Sequence, residues 1–307
     1  MSLQVVAVGP SVLVQDQGRP GWAHLGVPRS GALDGPAAAL ANRLVGNAPD
    51  DACLEVLLGG LALTSDEGVW VAVTGARCAL EVDDRPAGFG EAARLTPGSV
   101  LRLGRPETGL RSYLAVAGGI AVDPVLGSRS TDTLGRVGPP AVAVGDRLPV
   151  GRPAGPPAAV DTPRPPATGP LRVTPGPRAD RVAGDALDLL CRTTYAVSPD
   201  SDRVGLRLVG DALPLAVRDE LPSEGMVLGA VQVPPDGRPV VFLADHPTTG
   251  ATRWWRSWTS ATSGSARSCD PESRWVSRGV AERAHPRRRL SSSTTAGTTS
   301  CMSPMTA

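Results

Sequence analysis

The chain of 307 residues contains no lysine: all 31 of its cationic side chains are arginine. This absence excludes every mechanism that needs a lysine of this chain, including a biotinyl-lysine, a Schiff base, the phosphate-binding lysine of a P-loop and a lysine general base. A chemistry that depends on one of these groups must obtain it from a partner protein.

Aromatic residues are also scarce, with two Phe and two Tyr against 36 Gly and 31 Pro. The core must therefore be built from Val, Leu and Ala, and the frequent turn residues favour many short strands. The sequence has no GxGxxG fingerprint in a βαβ setting, no P-loop and no GxSxG nucleophile elbow. These absences argue against hydrolysis through a Ser or Cys nucleophile.

The formal net charge is only +1, so the composition does not indicate a nucleic-acid-binding protein. The start of the chain lacks the parts of a signal peptide, and no apolar run approaches the roughly 20 residues that cross a bilayer. We therefore predict a cytoplasmic protein that contacts neither nucleic acid nor a membrane. Because no two of the five cysteines stand in a CxxC spacing, we expect neither a metal site nor a disulfide framework. The cysteines are Cys53, Cys78, Cys191, Cys269 and Cys301.

Residues 1–150 form a first predicted unit, in which short β-like runs alternate with Gly and Pro. Strands at this spacing suggest a barrel or a sandwich. One helix is predicted from Gly35 to Asn47, because Pro36 suits a first helical position and Gly46 with Asn47 supplies a stop. The predicted strands are 12–14, 54–58, 69–73, 78–82, 99–103 and 113–116.

Residues 151–170 are so rich in proline that they predict a semi-rigid linker. Residues 171–250 form a second, shorter predicted unit. A helix is predicted around Asp180 to Cys191, followed by strands at 204–209, 229–233 and 239–244.

The character of the chain changes at Gly250. Residues 251–307 hold four of the six tryptophans and few aliphatic side chains. Trp codons and most Ser codons begin with T, so a frame one nucleotide back converts them into codons for aliphatic residues or Phe. With allowed choices of the wobble bases, the segment from Gly250 to Trp258 can be read in that frame as GYPVVAVV, which is typical of a strand. We predict that 251–307 is an irregular tail produced by loss of the reading frame, the alternative being a genuine low-complexity tail.

Several long blocks lie in order along residues 3–250. They are VQDQGRPGWAHLGVPRSGALDGPAAALANRLVGN (14–47), LEVLLGG (54–60), VTGA (73–76), RSYLAVAGGI (111–120), LGSRST (126–131), SPDSDRVGLRL (198–208) and SEGMVLGAVQVPPDGRPVVFLADHPTTG (223–250). Together they resemble the biotin-dependent carboxyltransferase subunits, a family that includes the C-subunit of 5-oxoprolinase, allophanate hydrolase subunit 2 and the sporulation regulator KipA. The family pattern continues after TTG with another glycine, YP and an aliphatic strand, and the neighbouring frame restores this pattern.

The resemblance implies a mainly β fold: two linked, cyclophilin-like β-barrel lobes with a few short helices and an incomplete C-terminal lobe. For function, it implies a subunit of an ATP-dependent 5-oxoprolinase, which opens the lactam of 5-oxoproline to glutamate. The implied partners are a KipI-like protein, similar to allophanate hydrolase subunit 1, and a third 5-oxoprolinase subunit. ATP would be used through the complex, and this chain would carry no covalent biotin.

Two other functions remain open within the same family. One is a carboxyltransferase subunit of a biotin-dependent urea carboxylase, which a co-purifying biotinylated protein would favour. The other is a KipA-like regulator that binds a kinase inhibitor, which stoichiometric binding without turnover would favour. A chain of 307 residues without a fused biotin carrier favours the 5-oxoprolinase.

The motif QDQGRPG supplies the first candidate site residues. An arginine fork can bind a carboxylate or a phosphate while an aspartate orients it, so we predict that Gln15 and Arg19 bind substrate and that Asp16 is catalytic. A structural salt bridge that closes a turn is the alternative. His24 follows as a candidate acid-base group, although a lone loop histidine is more often inert.

Ser30 and Asp34 precede the helix that is predicted to begin near Pro36. Backbone amides at a helix start can bind an anion or a carbonyl, so both residues are predicted substrate contacts. Helix capping is the alternative for each of them.

A second set of polar residues lies in the second unit. Carboxylates, an imidazole and hydroxyls together can bind and activate an amide substrate, and we predict Glu224, Asp245 and His246 as proton carriers. His246 stands where the resembling family usually has arginine, which removes a fixed charge. The predicted substrate-binding residues of this unit are Asp202, Arg203, Ser223, Gln232, Thr248 and Thr249.

Overall fold

The computed structural model describes residues 1–157, 172–174, 176, 178, 183–216, 222–250, 253–257 and 274–275. The chain is mainly β, with antiparallel sheets and few helices, which confirms the mainly β character that was predicted, while the two β-barrels stay a prediction. Of the predicted linker, only residues 151–157 are described, and they form no helix or strand.

The first lobe contains two antiparallel sheets and one α-helix. Its helix is α1 (Gly35–Leu44), and its strands are β1 (Ser2–Ala7), β2 (Ser11–Gln15), β3 (Cys53–Leu57), β4 (Ala62–Ser65), β5 (Val69–Gly75), β6 (Leu80–Val82), β7 (Arg85–Pro86), β8 (Ala92–Leu95), β9 (Val100–Leu103), β10 (Arg111–Val116) and β11 (Arg147–Pro149). The strand orders are β11-β1-β4-β9-β6-β7 and β2-β3-β10-β5-β8. Strand β11 pairs with β1 at the start of the chain, so residues 147–149 lie in the same sheet as residues 2–7.

Helix α1 lies against the second of these sheets. It begins after Asp34, whose Oδ1 atom accepts a hydrogen bond from the Ala37 backbone at 3.0 Å, and a proline occupies its first turn. Ala38, Ala41 and Leu44 are buried in a core that both sheets of this lobe share. The helix ends at Leu44, three residues before the predicted stop at Asn47.

The second lobe contains a seven-stranded antiparallel sheet of order β13-β14-β17-β16-β19-β12-β20 and a separate β15-β18 pair among the described residues. Its elements are β12 (Arg172–Thr174), α2 (Ala186–Arg192), β13 (Ala196–Val197), β14 (Gly205–Val209), β15 (Glu224–Gly225), β16 (Ala230–Val233), β17 (Val240–Phe242), β18 (Thr249–Gly250), β19 (Arg253–Ser257) and β20 (Arg274–Trp275). Its core includes Val173, Leu190, Tyr195, Leu208 and Val231. Of the predicted helix, residues 180–182 lie outside the described residues.

Two segments of the predicted tail belong to this sheet, which corrects the expectation that residues 251–307 carry no regular structure. Strand β19 pairs with β16, where Val231 lies opposite Trp255, and also with β12, while β20 pairs with β12. Antiparallel pairing uses backbone groups that any sequence supplies, so an open edge at β16 can bind a strand of unsuited composition. Residues 251–252, 258–273 and 276–307 lie outside the described residues, and the loss of the reading frame stays a prediction.

None of the helices in the described part of the chain could span a bilayer. The described residues also contain no group of three or more His, Cys, Asp or Glu side chains that could hold a metal ion. Cys53, Cys78 and Cys191 are free thiols, and Cys269 and Cys301 lie outside the described residues.

Candidate functional site

A buried network of charged side chains joins the two lobes, with Arg203 at its centre. The Nε and Nη2 atoms of Arg203 donate to Asp245 at 2.9 and 3.1 Å, and Nη1 donates to Oε1 of Glu55 at 2.5 Å. Nη2 also donates to the backbone oxygen of Gly31 at 2.6 Å. Arg203 is only 5% exposed. A single guanidinium therefore bonds its own lobe and the first lobe at the same time.

Asp245 fastens the second lobe to two segments of the first. Its Oδ1 atom accepts from Ser30 Oγ at 2.6 Å, and its Oδ2 atom accepts from the backbone and the hydroxyl of Thr133 at 2.9 and 2.7 Å. Burial alone would raise the pKa of Asp245, but the hydrogen bonds and charge of Arg203, with the Ser30 and Thr133 contacts, lower it below its ordinary value. Asp245 is therefore a carboxylate at neutral pH.

Glu55, in strand β3, is the partner on the first lobe, and the sequence reasoning missed it. Its Oε2 atom accepts from the Tyr113 hydroxyl and from the Leu33 backbone, each at 3.0 Å. Its Oε1 atom also lies 3.3 Å from Nε of Arg111. Burial, and then the charge of Glu55, raise the pKa of Tyr113, so this hydroxyl stays protonated and donates. A carboxylate in the middle of the apolar run CLEVL was the signal that could have revealed it.

A cleft with a volume of about 470 Å³ opens beside this network, between the first lobe and the segment 201–204 of the second. Asp202 and Arg203 line it, as do Glu55, Arg111 and Arg136. Asp202 is exposed, and its Oδ1 atom accepts from the Val204 and Gly205 backbone at 2.8 and 3.0 Å. The other lining residues are Ser11, Leu13, Leu57, Leu110, Thr133, Leu134, Ser201 and Val204.

Asp16 lies outside this cleft lining and binds the loop 126–133. Its carboxylate accepts from the hydroxyls of Ser128 and Ser130 at 2.6 and 2.5 Å and from the Arg129 and Gly18 backbone at 2.6 and 2.7 Å. A carboxylate with four donors holds a loop in place, which favours a structural role for Asp16, although through hydroxyl and backbone donors rather than the salt bridge of the alternative.

Arg19 and Gln15 also bind this part of the chain, through hydrogen bonds from their side chains to backbone carbonyl groups. Arg19 is 1% exposed, and it donates through Nη2 to the Ser130 carbonyl and through Nε to the Val125 carbonyl at 3.4 Å. Burial lowers the pKa of Arg19. Gln15 is fully buried and donates to the Thr131 carbonyl at 2.9 Å. Neither residue lines the cleft, and Arg19 is a core residue rather than an exposed loop cation.

His24 lies on the surface, away from the cleft lining. It belongs to the short 3₁₀-helix Ala23–Leu25, its ring stacks on Trp22 with centroids 6.1 Å apart, and its Nδ1 atom lies 3.1 Å from the Gly21 carbonyl oxygen. Asp34 caps α1 and its backbone donates to the Tyr113 hydroxyl at 2.8 Å. Asp34 therefore acts as the N-cap of the helix, as the capping alternative proposed.

The remaining acid-base candidates of the second lobe also lie outside the cleft lining. Glu224, in β15, pairs with Arg178, whose Nε atom donates to it at 3.1 Å. His246 is buried, with its Nδ1 atom 2.8 Å from the Pro247 carbonyl oxygen and its ring tilted against Phe242.

The four other predicted contacts are equally dispersed. Ser223 is exposed, Gln232 is half-buried on β16, and Thr249 lies in β18, which pairs with β15. The Thr248 carbonyl accepts from the Met226 backbone at 2.9 Å. The structure thus brings together Ser30, Arg203 and Asp245, places Asp202 beside them, and leaves the other predicted residues elsewhere.

Comparison with known proteins gives consistent matches. The chain matches the family model "Carboxyltransferase domain, subdomain A and B" over residues 25–252. It is 38% identical over 252 residues to the C-subunit of 5-oxoprolinase from Escherichia coli (strain K12), with 81% of each chain covered. The C-subunit of the Haemophilus influenzae 5-oxoprolinase is 30% identical over 251 residues, again with 81% of each covered. A urea amidolyase of Lachancea kluyveri is 30% identical over an alignment of 281 positions, and the alignment covers 81% of this chain but 15% of the amidolyase.

Solved structures show the same fold. TTHA0988 superimposes with a TM-score of 0.75 at 39% sequence identity, over 84% of this chain and 51% of TTHA0988. The urea amidolyase of K. lactis superimposes with a TM-score of 0.76 at 28% identity, over 83% of this chain and 17% of the amidolyase. The chain therefore spans about half the length of TTHA0988 and a small part of the amidolyase.

Proposed function

We propose that this chain, which belongs to the carboxyltransferase domain family of subdomains A and B, is one subunit of an ATP-dependent 5-oxoprolinase. The observation that carries the proposal is the match with the C-subunit of the Escherichia coli 5-oxoprolinase, because it covers the same large share of both chains. The urea amidolyases are several times longer than the matched region, so this chain corresponds to only one part of them.

In the proposed reaction 5-oxoproline, ATP and two water molecules give glutamate, ADP and phosphate. One water adds across the lactam C–N bond, and the other across the terminal phosphoanhydride of ATP. The cleft between the lobes is the proposed substrate site, with Asp202 and Arg203 in its wall. Because the chain has no lysine, arginine side chains, backbone amides or a partner must hold the phosphates. We propose a KipI-like partner and a third subunit for that task.

The test is co-expression of this chain with its KipI-like partner and the third subunit, followed by an assay of ATP-dependent glutamate formation from 5-oxoproline. We expect turnover by the full assembly and none by this chain alone or by an assembly that lacks one subunit. Robust turnover by the purified single chain would contradict the need for a complex.

A urea carboxylase subunit is the second candidate function, and the matches to urea amidolyases and to a putative urea carboxylase of Emericella nidulans favour it. The same assay with urea separates the two candidates. ATP- and bicarbonate-dependent carboxylation of urea, with a biotinylated protein co-purifying, would replace the 5-oxoprolinase proposal.

A further inference from the structure

We propose that Arg136, assisted by Arg111, binds the carboxylate of the substrate in the cleft between the lobes, and that Asp202 accepts a hydrogen bond from the amide N–H of the same molecule. The ligand class is a small monocarboxylate with a neighbouring amide or lactam N–H. This inference rests on the proposed function for its choice of 5-oxoproline as the probe.

Arg203 is the most obvious anion-binding residue of the cleft, but its hydrogen bonds are almost all used. Four of its five N–H groups donate to Asp245, Glu55 and Gly31. A ligand carboxylate would have to displace a buried protein carboxylate from it. Arg203 therefore has a structural role in the lining of the cleft, and an anion would bind to other cations.

Arg136 is the cation that is free for this task. It lines the cleft and is exposed, and its side chain forms no hydrogen bond or ion pair within the part of the chain that the structure describes. Its backbone has a φ of 54°, a left-handed conformation that costs free energy in a residue with a Cβ and that clusters at functional sites.

Asp132 holds Arg136 in that conformation. The Asp132 Oδ1 atom accepts from the backbone of Leu134 and Gly135 at 3.0 and 3.1 Å, and the Asp132 backbone donates to the Val137 carbonyl at 2.8 Å. The turn is thus fastened on both sides of Arg136. A fastened turn fixes the backbone position of Arg136, so no backbone entropy of this turn is lost when an anion binds.

Arg111 is the second cation of the cleft, and it can turn toward a ligand without leaving a buried charge unpaired. Its contact with Glu55 is 3.3 Å long, whereas Glu55 also accepts at 2.5 to 3.0 Å from Arg203, Tyr113 and the Leu33 backbone. Glu55 keeps these three donors if Arg111 moves.

The other features of the cleft fit the rest of such a molecule. The Oδ2 atom of Asp202 forms no hydrogen bond among the described residues, since the two backbone donors both reach Oδ1. It is therefore an acceptor for an N–H group. Apolar carbon atoms of the ligand would contact leucine side chains of the lining, which are Leu13, Leu57, Leu110 and Leu134.

The first test measures steady-state kinetics of the full assembly with 5-oxoproline and with 2-pyrrolidinone, the same lactam without the carboxylate. Arg136→Ala should raise KM for 5-oxoproline by about 10- to 100-fold, the effect of one lost charged hydrogen bond, and leave KM for ATP unchanged. The wild-type preference for 5-oxoproline over 2-pyrrolidinone should fall by the same factor. Arg136→Lys should restore part of it, and Arg152→Ala, an exposed arginine outside the cleft lining, should behave as wild type.

The second test is calorimetric binding of 5-oxoproline and 2-pyrrolidinone to the purified chain and to the assembly, which does not require turnover. Tighter binding of 5-oxoproline that Arg136→Ala and Arg111→Gln both weaken supports the site even if the assembly proves to carboxylate urea. Equal binding by wild type and Arg136→Ala, or no binding of 5-oxoproline to either preparation, overturns the inference. Failure of the proposed function alone is seen as binding without glutamate formation.

Discussion

At the residue scale, Arg203 determines how the two lobes contact each other. Burial on its own would lower the pKa of Arg203, but the charges of Glu55 and Asp245 outweigh it and raise that pKa. The side chain is thus a permanent cation between two buried carboxylates. Such pairs add little net stability relative to apolar residues, yet removal of one member leaves an uncompensated buried charge.

We expect Arg203→Met to lower the free energy of unfolding by about 3 to 5 kcal/mol, because Glu55 and Asp245 lose their common cation. Urea unfolding of the purified chain measures this change. Arg207→Met, on the neighbouring exposed position of β14, is the matched control and should stay within about 0.5 kcal/mol of wild type. Equal stabilities of the two variants would show that the network does not hold the lobes together.

Asp132, unlike Arg203, is a buried charged group that is only partly paired, because its Oδ2 atom has no hydrogen-bond partner among the described residues. Burial raises the pKa of Asp132 above its ordinary value, and Oδ2 forms no hydrogen bond with the described residues. A raised carboxyl pKa in the folded state means that this group favours folding at low pH and disfavours it as the pH rises through that pKa. At neutral pH the buried charge therefore costs stability.

Asp132→Asn keeps the Oδ1 acceptor for the turn and removes this charge. We expect the variant to be as stable as wild type or more stable at pH 7, with the difference shrinking as the pH falls through the range in which carboxyl groups titrate. Unfolding free energies measured from acidic to neutral pH test this. Asp16→Asn is the comparison, since it disturbs a carboxylate with four donors and should lose stability at neutral pH. A loss of the same size in Asp132→Asn would contradict the expectation.

The sequence identified some members of the network and missed others for a physical reason. Arg203, Asp245 and Ser30 stand in motifs, so their polarity was visible locally. Glu55 pairs with Arg203 across 148 positions of sequence, and no local spacing encodes such a contact. Conversely, the motif around Asp16 and Arg19 predicts a pair that binds and orients substrate, but both side chains bond the loop 126–133, which lies more than 100 residues away in the sequence.

At the scale of elements, composition predicted some strands and missed others, including the interior strands β1 and β4 of the first sheet. Strands β3, β5 and β10 lie within two residues of the predicted runs, because central strands must be apolar. Strands β7, Arg85–Pro86, and β11, Arg147–Pro149, were not predicted. Their residues form strands only because a neighbouring strand offers backbone groups to pair with.

Asp34, at the start of helix α1, can be tested for two roles: capping the helix and binding substrate. We expect Asp34→Ala to lower the free energy of unfolding by about 1 kcal/mol through loss of the cap on Ala37, with KM for 5-oxoproline unchanged in the assembly. Thermal unfolding and steady-state kinetics measure the two effects. Asp50→Ala, an exposed residue after the helix, is the control. A raised KM without loss of stability would restore the sequence-based role of Asp34 as a substrate contact.

At the scale of the whole molecule, the second lobe depends on a strand from the segment whose composition fits it least. Strand β19, Arg253–Ser257, lies between β16 and β12, whose side chains Val173, Val231 and Val233 belong to the core of that lobe. A strand at the centre of a sheet is normally rich in aliphatic residues. We predict that the neighbouring reading frame supplies such a strand, since allowed wobble bases give GYPVVAVV at the same place in the sequence.

We therefore expect a chain that continues in the neighbouring frame after Gly250 to unfold at higher urea concentration and to resist proteolysis better than the present chain. The gain arises because aliphatic side chains on β19 would bury apolar surface against the core of the second lobe, which contributes about 25 cal/mol per Å². A chain with the same aliphatic residues in scrambled order, which breaks their alternation along the strand, is the control and should gain less. Sequencing of the gene should show a missing nucleotide near codon 250. If the gene is intact and the present chain is as stable as the altered one, the loss of frame is wrong, and Trp254 and Trp255 are native residues of the sheet.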